Sequence, residues 1–458
     1  MQPSADATPQ IAMTRGRLLR ILGVGFGLAV IIGNTIGGGI VSTPGMIAQH
    51  LPNPWLFIGV WLAGGLYALL GAISIAELGT MMPRSGGQYV FAHDALGDYA
   101  GFIVGWSDWI STCGSTSFIA LVIAQYSGVL FPNLAEHSTA TALTVVMLFG
   151  LIQWRGIRWG SGVQNVTSLL KALAFVALVA VCFAMGGSTA ASGSAPAPIP
   201  HGVTLFVAVI LALQGVIYTY DGWTGVIYFS EEVRNPARDI PRSMLGGVLS
   251  VIAIYLLVNL AILYVLPMSE IAGSDLALGK AAQAIFGNNG DRIFRTLMLL
   301  SMLSAVNACQ LMATRVLFAM SRDGLFSTRA ARANSGGTPS VALLASTVVA
   351  SLFILAGTAN EVWRDRVERV LAVVAFFFVV NYAISFTVVF ILRRRDPDRL
   401  RPYRAWGYPW TTGFSLLASL AFLGGAVKSD TRNSLYALVL LAASYPIFRF
   451  TRWLASRA

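Results

Sequence analysis

The stretch Gly33-Asn34-Thr35-Ile36-Gly37-Gly38-Gly39-Ile40 lies in the middle of the first long apolar segment, which runs from about Leu18 to Ile47. A helix of this length, rising about 1.5 Å per residue, crosses a bilayer core of about 30 Å. Three consecutive glycines suit a helix interior poorly, so they predict a break with unpaired backbone N–H groups at mid-depth. Lipid cannot satisfy such groups, and we expect the break to line a site. Close helix packing is the alternative, but it favours small residues about three or four positions apart.

The composition indicates an integral membrane protein. Of the 458 residues 56% are hydrophobic and only 11% are charged, against roughly 25% charged in soluble proteins. The polar first thirteen residues and the long apolar segment after Arg15 do not resemble a cleaved signal peptide. The net charge of +11 lies in short basic runs between apolar segments, so no nucleic-acid partner is expected.

Apolar runs predict about twelve spans and an all-α protein. The expected spans are 18–49, 55–82, 95–131, 139–154, 160–186, 203–229, 243–266, 293–320, 340–358, 368–392, 409–427 and 433–450. Arg and Lys concentrate in alternate connections, which by the positive-inside rule predicts a multi-pass protein of the cytoplasmic (inner) membrane with both termini in the cytoplasm.

A second break is predicted in span six, at Tyr218-Thr219-Tyr220-Asp221-Gly222-Trp223-Thr224-Gly225. A carboxylate beside two glycines is typical of an unwound segment. Interrupted spans at matching places in two halves predict a five-plus-five inverted repeat of the LeuT type with a midplane substrate site. The expected divisions are an N-terminal cytoplasmic tail (1–17), a first repeat (18–186), an outer loop (187–202), a second repeat (203–395), a cytoplasmic loop (396–408), and the last two spans with the C-terminal tail (409–458).

Catalytic and metal chemistry are not expected. Cys113, Cys182 and Cys309 each fall in an apolar segment, which argues against a disulfide or a zinc site. The four histidines lie at span ends or in loops and form no HExxH motif. We therefore predict neither an enzyme nor a bound metal or cofactor.

Five motifs give the chain a family resemblance. They are the span-one break, Pro83-Arg84-Ser85-Gly86-Gly87-Gln88-Tyr89, the span-six break with Glu231-Glu232-Val233-Arg234-Asn235-Pro236-Ala237-Arg238, Ser321-Arg322-Asp323-Gly324, and Arg401-Pro402-Tyr403 with Tyr408-Pro409. Together they resemble the amino acid–polyamine–organocation (APC) superfamily, and most closely its L-type amino acid transporter (LAT) branch. The resemblance implies a permease that carries amino acids by alternating access.

An amino acid presents a carboxylate and an ammonium group that must both be satisfied at mid-membrane. We expect the N–H groups of Gly37, Gly38 and Gly39, at the positive end of a half-helix, to hold the carboxylate. The ammonium is expected at carbonyls near Ile36 and Tyr218. The resemblance implies the same assignment and makes Tyr218 a gate over the substrate, with core packing as the alternative for this residue.

Other polar residues inside the spans complete the candidate site. Tyr220 and Asp221 are assigned to substrate binding, and Asp221 is expected to cap the broken span or to exchange a proton. Asp108, Asn307 and Asn381 are candidates for side-chain selectivity, although Asp108 could instead pair with a cationic neighbour and the asparagines could bond helices together.

Lys171 lies deep in span five, where a charge needs a partner or a cavity. Near the span-one break, its ammonium would take the place of a coupling sodium ion and repel that ion, so sodium-independent transport is predicted. The resemblance supports this, since a span-five lysine recurs in sodium-independent members. Lys171 could also load and release a proton during the cycle, and snorkelling to the membrane surface is the alternative to a buried position.

The predicted function is sodium-independent transport of neutral L-amino acids, in exchange for one another. Proton-coupled symport or antiport of amino acids or polyamines, and a non-transporting amino acid sensor, are the alternatives. Animal relatives join a heavy chain through a cysteine between spans three and four, whereas 132–139 here contains none. The amino acid and the lipid bilayer are therefore the expected partners, with no disulfide-linked heavy chain.

Overall fold

The computed structural model describes residues 17–186, 198–429, 439 and 443–452, and between 361 and 375 it describes the backbone alone. Its helices are α1 (Val24–Thr35), α2 (Gly39–His50), α3 (Pro54–Met81), α4 (Gln88–Leu96), α5 (Asp98–Leu130), α6 (Ser138–Trp154), α7 (Ile157–Met185), α8 (Gly202–Thr219), α9 (Pro236–Val265), α10 (Met268–Ile271), α11 (Ala277–Phe286), α12 (Gly290–Arg322), α13 (Ser340–Ala359), α14 (Glu361–Arg395) and α15 (Trp410–Ser429). Short 3-10 helices occupy Pro132–His137, Gly225–Phe229, Gly287–Asn289 and Thr328–Ala331.

The all-α membrane class is confirmed. Among the described residues ten helical segments are long and apolar enough to span a membrane, and α1 with α2 forms a bent pair that makes an eleventh. No strand occurs in this part of the chain. The expected twelfth span, 433–450, lies mostly outside the described residues, so the count of twelve and the inverted repeat stay predictions.

Helix starts and ends follow local chemistry. The side chain of Asn53 accepts hydrogen bonds from the N–H groups of Trp55 (3.0 Å) and Leu56 (3.1 Å) and caps α3, while Pro54 occupies the first turn, where its missing N–H costs nothing. Three short helices, α4, α10 and α11, lie in connections that the apolar pattern does not mark.

The first span begins later than its hydropathy predicts. Residues 18–23 are not helical, and Leu22 pairs instead with the segment that follows the second break. Its N–H donates to Glu232 O at 2.9 Å, and its carbonyl accepts from Arg234 N at 2.8 Å. This bridge ties the start of α1 to the end of span six.

Ion pairs join the helices at one end of the bundle, which we call the Arg-rich end. Its pairs are Arg84–Asp323 (2.7 Å), Arg322–Glu231 (2.8 Å), Arg315–Glu232 (3.0 Å) and Arg393–Glu77 (2.5 Å). Both side chains of the Arg315–Glu232 pair are fully buried, and the fork of the guanidinium donates to both carboxylate oxygens. Because such a pair is stable only when both charges are present, it fixes α12 to the segment after span six.

Candidate functional site

The first break leaves backbone groups without helical partners. The helix α1 ends at Thr35, Ile36 is extended, and α2 begins at Gly39 with a bend of 49°. The N–H groups of Gly37 and Gly38 make no hydrogen bond to the described residues, and both glycines line a cavity. A Cβ on Gly37 would meet nothing within 4 Å. These N–H groups are therefore open to a ligand at the positive end of α2.

The second break lies against the first. The helix α8 ends at Thr219, and Gly222 has φ of +107°. A Cβ on Gly222 would come within 2.6 Å of Asn34 Nδ2 and 3.0 Å of Thr35 Oγ1, so only glycine allows this approach. The Tyr255 hydroxyl lies 2.7 Å from Thr35 O and 3.0 Å from Thr219 O and so joins the two broken ends.

Lys171 reaches the first break from α7. Its Nζ donates to Gly33 O at 2.8 Å and to Ile36 O at 2.6 Å, and the residue is 1% exposed. Ser168, one turn earlier on α7, donates to Ala29 O at 2.7 Å. The α7 face thus donates to carbonyls of α1 and of the break, and the ammonium is far too buried to snorkel.

A cavity of about 880 Å³ connects the two breaks. It extends along α5 as far as Gln125 and Tyr126 and reaches Leu276, at the end of the bundle opposite the Arg-rich end. None of the ion-paired residues of the Arg-rich end that the structure describes lines it. The cavity therefore runs from the breaks toward the end of the bundle opposite the Arg-rich end.

The structure brings several predicted site residues to this cavity. Gly37, Gly38, Gly39, Tyr218 and Asp221 all line it, and the Tyr218 side chain is 53% exposed. Asp221 accepts a hydrogen bond from the Tyr382 hydroxyl, whose ring stacks on Trp223. Asp221 is thus held from α14, in addition to any role at the end of the broken helix.

Ile36 and Tyr220 do not reach the cavity. The Ile36 carbonyl was expected to bind the substrate ammonium. It instead accepts hydrogen bonds from Lys171 and from Ser301 (3.0 Å), which occupy its two acceptor positions. Tyr220 is 1% exposed and packs its ring against Tyr255 and Trp61. The side chain of Tyr220 is therefore a core contact behind the break.

The three selectivity candidates are buried behind the cavity wall. Asp108 accepts from the Tyr228 hydroxyl at 2.9 and 3.0 Å, and no Arg or Lys among the described residues pairs with it. Asn307 donates to Gln164 Oε1 at 2.8 Å and to Gly160 O at 3.1 Å, so it bonds α12 to α7. Asn381 lies 3.3 Å from Ser107 Oγ and bonds α14 to α5. In this arrangement the asparagines connect helices, and Asp108 contacts the cavity residues Tyr228 and Thr112.

The cavity residues that were not singled out from the sequence include Thr35, Gln88, Tyr228 and Tyr382. Thr35 Oγ1 and Gln88 Nε2 are buried polar atoms without a hydrogen-bond partner in the described part of the chain. Gln88 belongs to the motif that runs from Pro83 to Tyr89, but the glycines before it indicate only a turn. An unpaired buried donor is recognisable once its neighbours are known, and no local pattern reveals it.

Comparisons with known proteins agree on one family. The family model for amino acid permeases matches residues 26–445. The serine/threonine exchanger SteT of Bacillus subtilis (strain 168) is 28% identical over 442 residues, which cover 94% of this chain and 96% of that protein. The human b(0,+)-type amino acid transporter 1 is 28% identical over 75% of this chain and 72% of its own. The human large neutral amino acids transporter small subunit 2 is 25% identical over 87% of this chain and 75% of its own.

Proposed function

Since the chain belongs to the amino acid permease family, we propose that it exchanges neutral L-amino acids across the cytoplasmic membrane without sodium. Family membership makes it a membrane transporter of amino acids and not an enzyme. The mode of transport, the ion dependence, the class of amino acid and the membrane orientation are the finer points of this proposal.

The observation that carries the proposal is the pair of unpaired N–H groups of Gly37 and Gly38 at the cavity wall. A substrate carboxylate there accepts from these groups and gains from the positive end of α2. Gly39 also lines the cavity, but a Cβ at Gly39 would lie 2.9 Å from the Thr219 side chain. This glycine therefore also serves the close contact between α2 and α8.

The ammonium group is assigned to the opposite break. The Tyr218 carbonyl lies at the end of α8, where it accepts from Asp221 N at 3.1 Å, and it is proposed to accept from the ammonium as well. The Asp221 carboxylate lines the same wall and adds a negative charge. The Tyr218 ring, exposed in the cavity, lies on the same turn and is proposed as the gate over the bound amino acid.

Sodium independence follows from Lys171. Its ammonium binds the carbonyls of Gly33 and Ile36, which are the kind of hard oxygen ligands that a sodium ion would need. A cation bound there would meet a fixed positive charge within a few ångströms, with no room for both. We therefore assign Lys171 as a permanent substitute for a coupling ion.

Exchange is favoured by the similarity to a protein named as a serine/threonine exchanger along nearly its whole length. A disulfide-linked heavy chain is not proposed, because all three cysteines are buried within spans. Both termini are placed in the cytoplasm, which puts the Arg-rich end inside and directs the cavity outward.

Uptake of radiolabelled serine, threonine, alanine and leucine into proteoliposomes tests the proposal. Liposomes preloaded with unlabelled amino acid should take up label equally in sodium and in choline buffer, and empty liposomes should take up little. Uptake that requires sodium would overturn the role of Lys171, and equal uptake into empty liposomes would overturn exchange.

A further inference from the structure

The floor of the cavity, meaning Gln88, Thr112 and Tyr228, is polar and lies on the side of the Arg-rich end. Gln88 is the first residue of α4 and is only 3% exposed, yet it lines the cavity. Its Nε2 has no hydrogen-bond partner in the described part of the chain. Because buried polar groups are almost always paired, this amide is a donor that awaits a partner.

Tyr228 packs against the turn that immediately precedes Gln88. Gly86, two residues before Gln88, donates from its N–H to Tyr228 O at 3.1 Å, and a Cβ on Gly87 would meet the Tyr228 ring at 2.5 Å. The Tyr228 hydroxyl donates its one proton to the Asp108 carboxylate, at 2.9 and 3.0 Å. Tyr228 lines the cavity, and with its proton given to Asp108 its hydroxyl oxygen can only accept.

Thr112 extends the same pattern. Its hydroxyl donates to Asp108 O at 2.7 Å and leaves its oxygen as a further acceptor at the cavity wall. Asp108 itself is 1% exposed and is covered by Tyr228. The cavity floor thus presents an N–H donor beside hydroxyl acceptors, with no accessible charge.

Only some substrate side chains can pair with both the donor and the acceptors of the cavity floor. A cationic group has donors alone and leaves Gln88 Nε2 unpaired. A carboxylate has acceptors alone, and the nearby carboxylate of Asp108 would repel it. An aliphatic group leaves both positions unpaired, whereas a hydroxyl or a carboxamide satisfies both.

We propose that Gln88 Nε2 and the Tyr228 hydroxyl oxygen form a side-chain subsite that selects neutral amino acids carrying a hydroxyl or a carboxamide group. The inference rests on the proposed function and adds the substrate class. Apolar residues, among them Met302, Met312 and Phe378, line other parts of the cavity, so polar selection depends on its floor.

Threonine and valine test this subsite because they have nearly the same shape and differ in one hydroxyl. The measurement is the concentration of each amino acid that halves the uptake of labelled serine into proteoliposomes, expressed as the ratio of valine to threonine. Threonine should compete about tenfold better than valine with the wild-type protein, because a site that hydrogen-bonds a substrate hydroxyl discriminates against the analogue without it. In Gln88→Met, which keeps the length of the side chain but removes the donor, the ratio should fall about tenfold, toward one.

Ser85→Ala is the matched control. Ser85 lies in the same turn, is fully buried and has an unpaired hydroxyl, but it does not line the cavity. It should keep the wild-type ratio. An unchanged ratio in Gln88→Met, or an equal fall in Ser85→Ala, would overturn the inference.

The ratio is measured on one protein sample, so differences in expression or folding cancel. Should Gln88→Met transport too slowly, the rise in melting temperature that threonine or valine causes in the purified variant gives the same comparison without transport. A wild-type protein that transports no amino acid would refute the proposed function, whereas one that transports threonine and valine equally would refute the subsite alone.

Discussion

Replacing Lys171 separates the structural from the ionic part of its role. Lys171→Met removes both charge-assisted hydrogen bonds at the first break. Ile36 O keeps its bond from Ser301, at 3.0 Å, but Gly33 O loses the partner it has in Lys171. An orphaned buried acceptor costs about 1–3 kcal/mol. Since about 1.4 kcal/mol is a factor of ten, the arrangement that binds substrate should become about 5- to 150-fold less populated.

Lys171→Ala loses the same bonds but also leaves a space lined by the freed carbonyl oxygens. Sodium should enter this space and restore part of the lost transport, whereas in Lys171→Met the side chain fills the space and sodium should have no effect. The assay is uptake by proteoliposomes in sodium and in choline buffers. Lys280→Met is the control, because Lys280 is exposed and its ammonium donates to the Glu270 carbonyl at 3.2 Å, away from both breaks. Uptake by Lys171→Met within twofold of wild type would refute the reasoning.

Three further outcomes are expected. Arg315→Met should lower the unfolding free energy by about 3–5 kcal/mol, because it leaves the buried Glu232 carboxylate unpaired, and adding Glu232→Gln should recover most of this loss. Denaturation curves of the wild type, the two single variants and the double variant would show this, and additive losses in the double variant would contradict it. Gly45→Ala should lower the melting temperature strongly, since its Cβ would stand 1.9 Å from Ser274 O, and a wild-type melting curve would be inconsistent with this packing. Tyr218→Phe should retain most of the transport rate, whereas Tyr218→Ala should lose at least tenfold, as expected of an aromatic gate. Equal transport by the two variants in the uptake assay would refute the gating role of Tyr218.

The breaks could be predicted because their chemistry is local. Three adjacent glycines, and a carboxylate beside glycine at Asp221-Gly222, are unfavourable in any apolar helix. The burial of Lys171 was predictable in the same way, since a charge at that depth requires partners wherever they come from. These features depend on the residue and its depth alone.

The partners of the buried polar groups could not be predicted. The Ile36 carbonyl was expected to hold an ammonium, and it does lie beside one, but that ammonium belongs to Lys171 and the remaining acceptor position is taken by Ser301. Gln88 became a cavity residue only because the turn before it packs on Tyr228, more than a hundred positions later in the chain. Such pairings depend on which helices become neighbours, and the hydropathy of a segment does not predict its neighbours.

The ammonium of Lys171 has a thermodynamic consequence. A free coupling ion enters on one side of a membrane, leaves on the other, and brings with it the work stored in its gradient. Under the proposal that Lys171 stays charged throughout the cycle, this covalently attached cation is never released, so it contributes binding energy in every cycle but no net work. A carrier built in this way would redistribute amino acids between compartments, and it could concentrate one of them only by letting another run downhill.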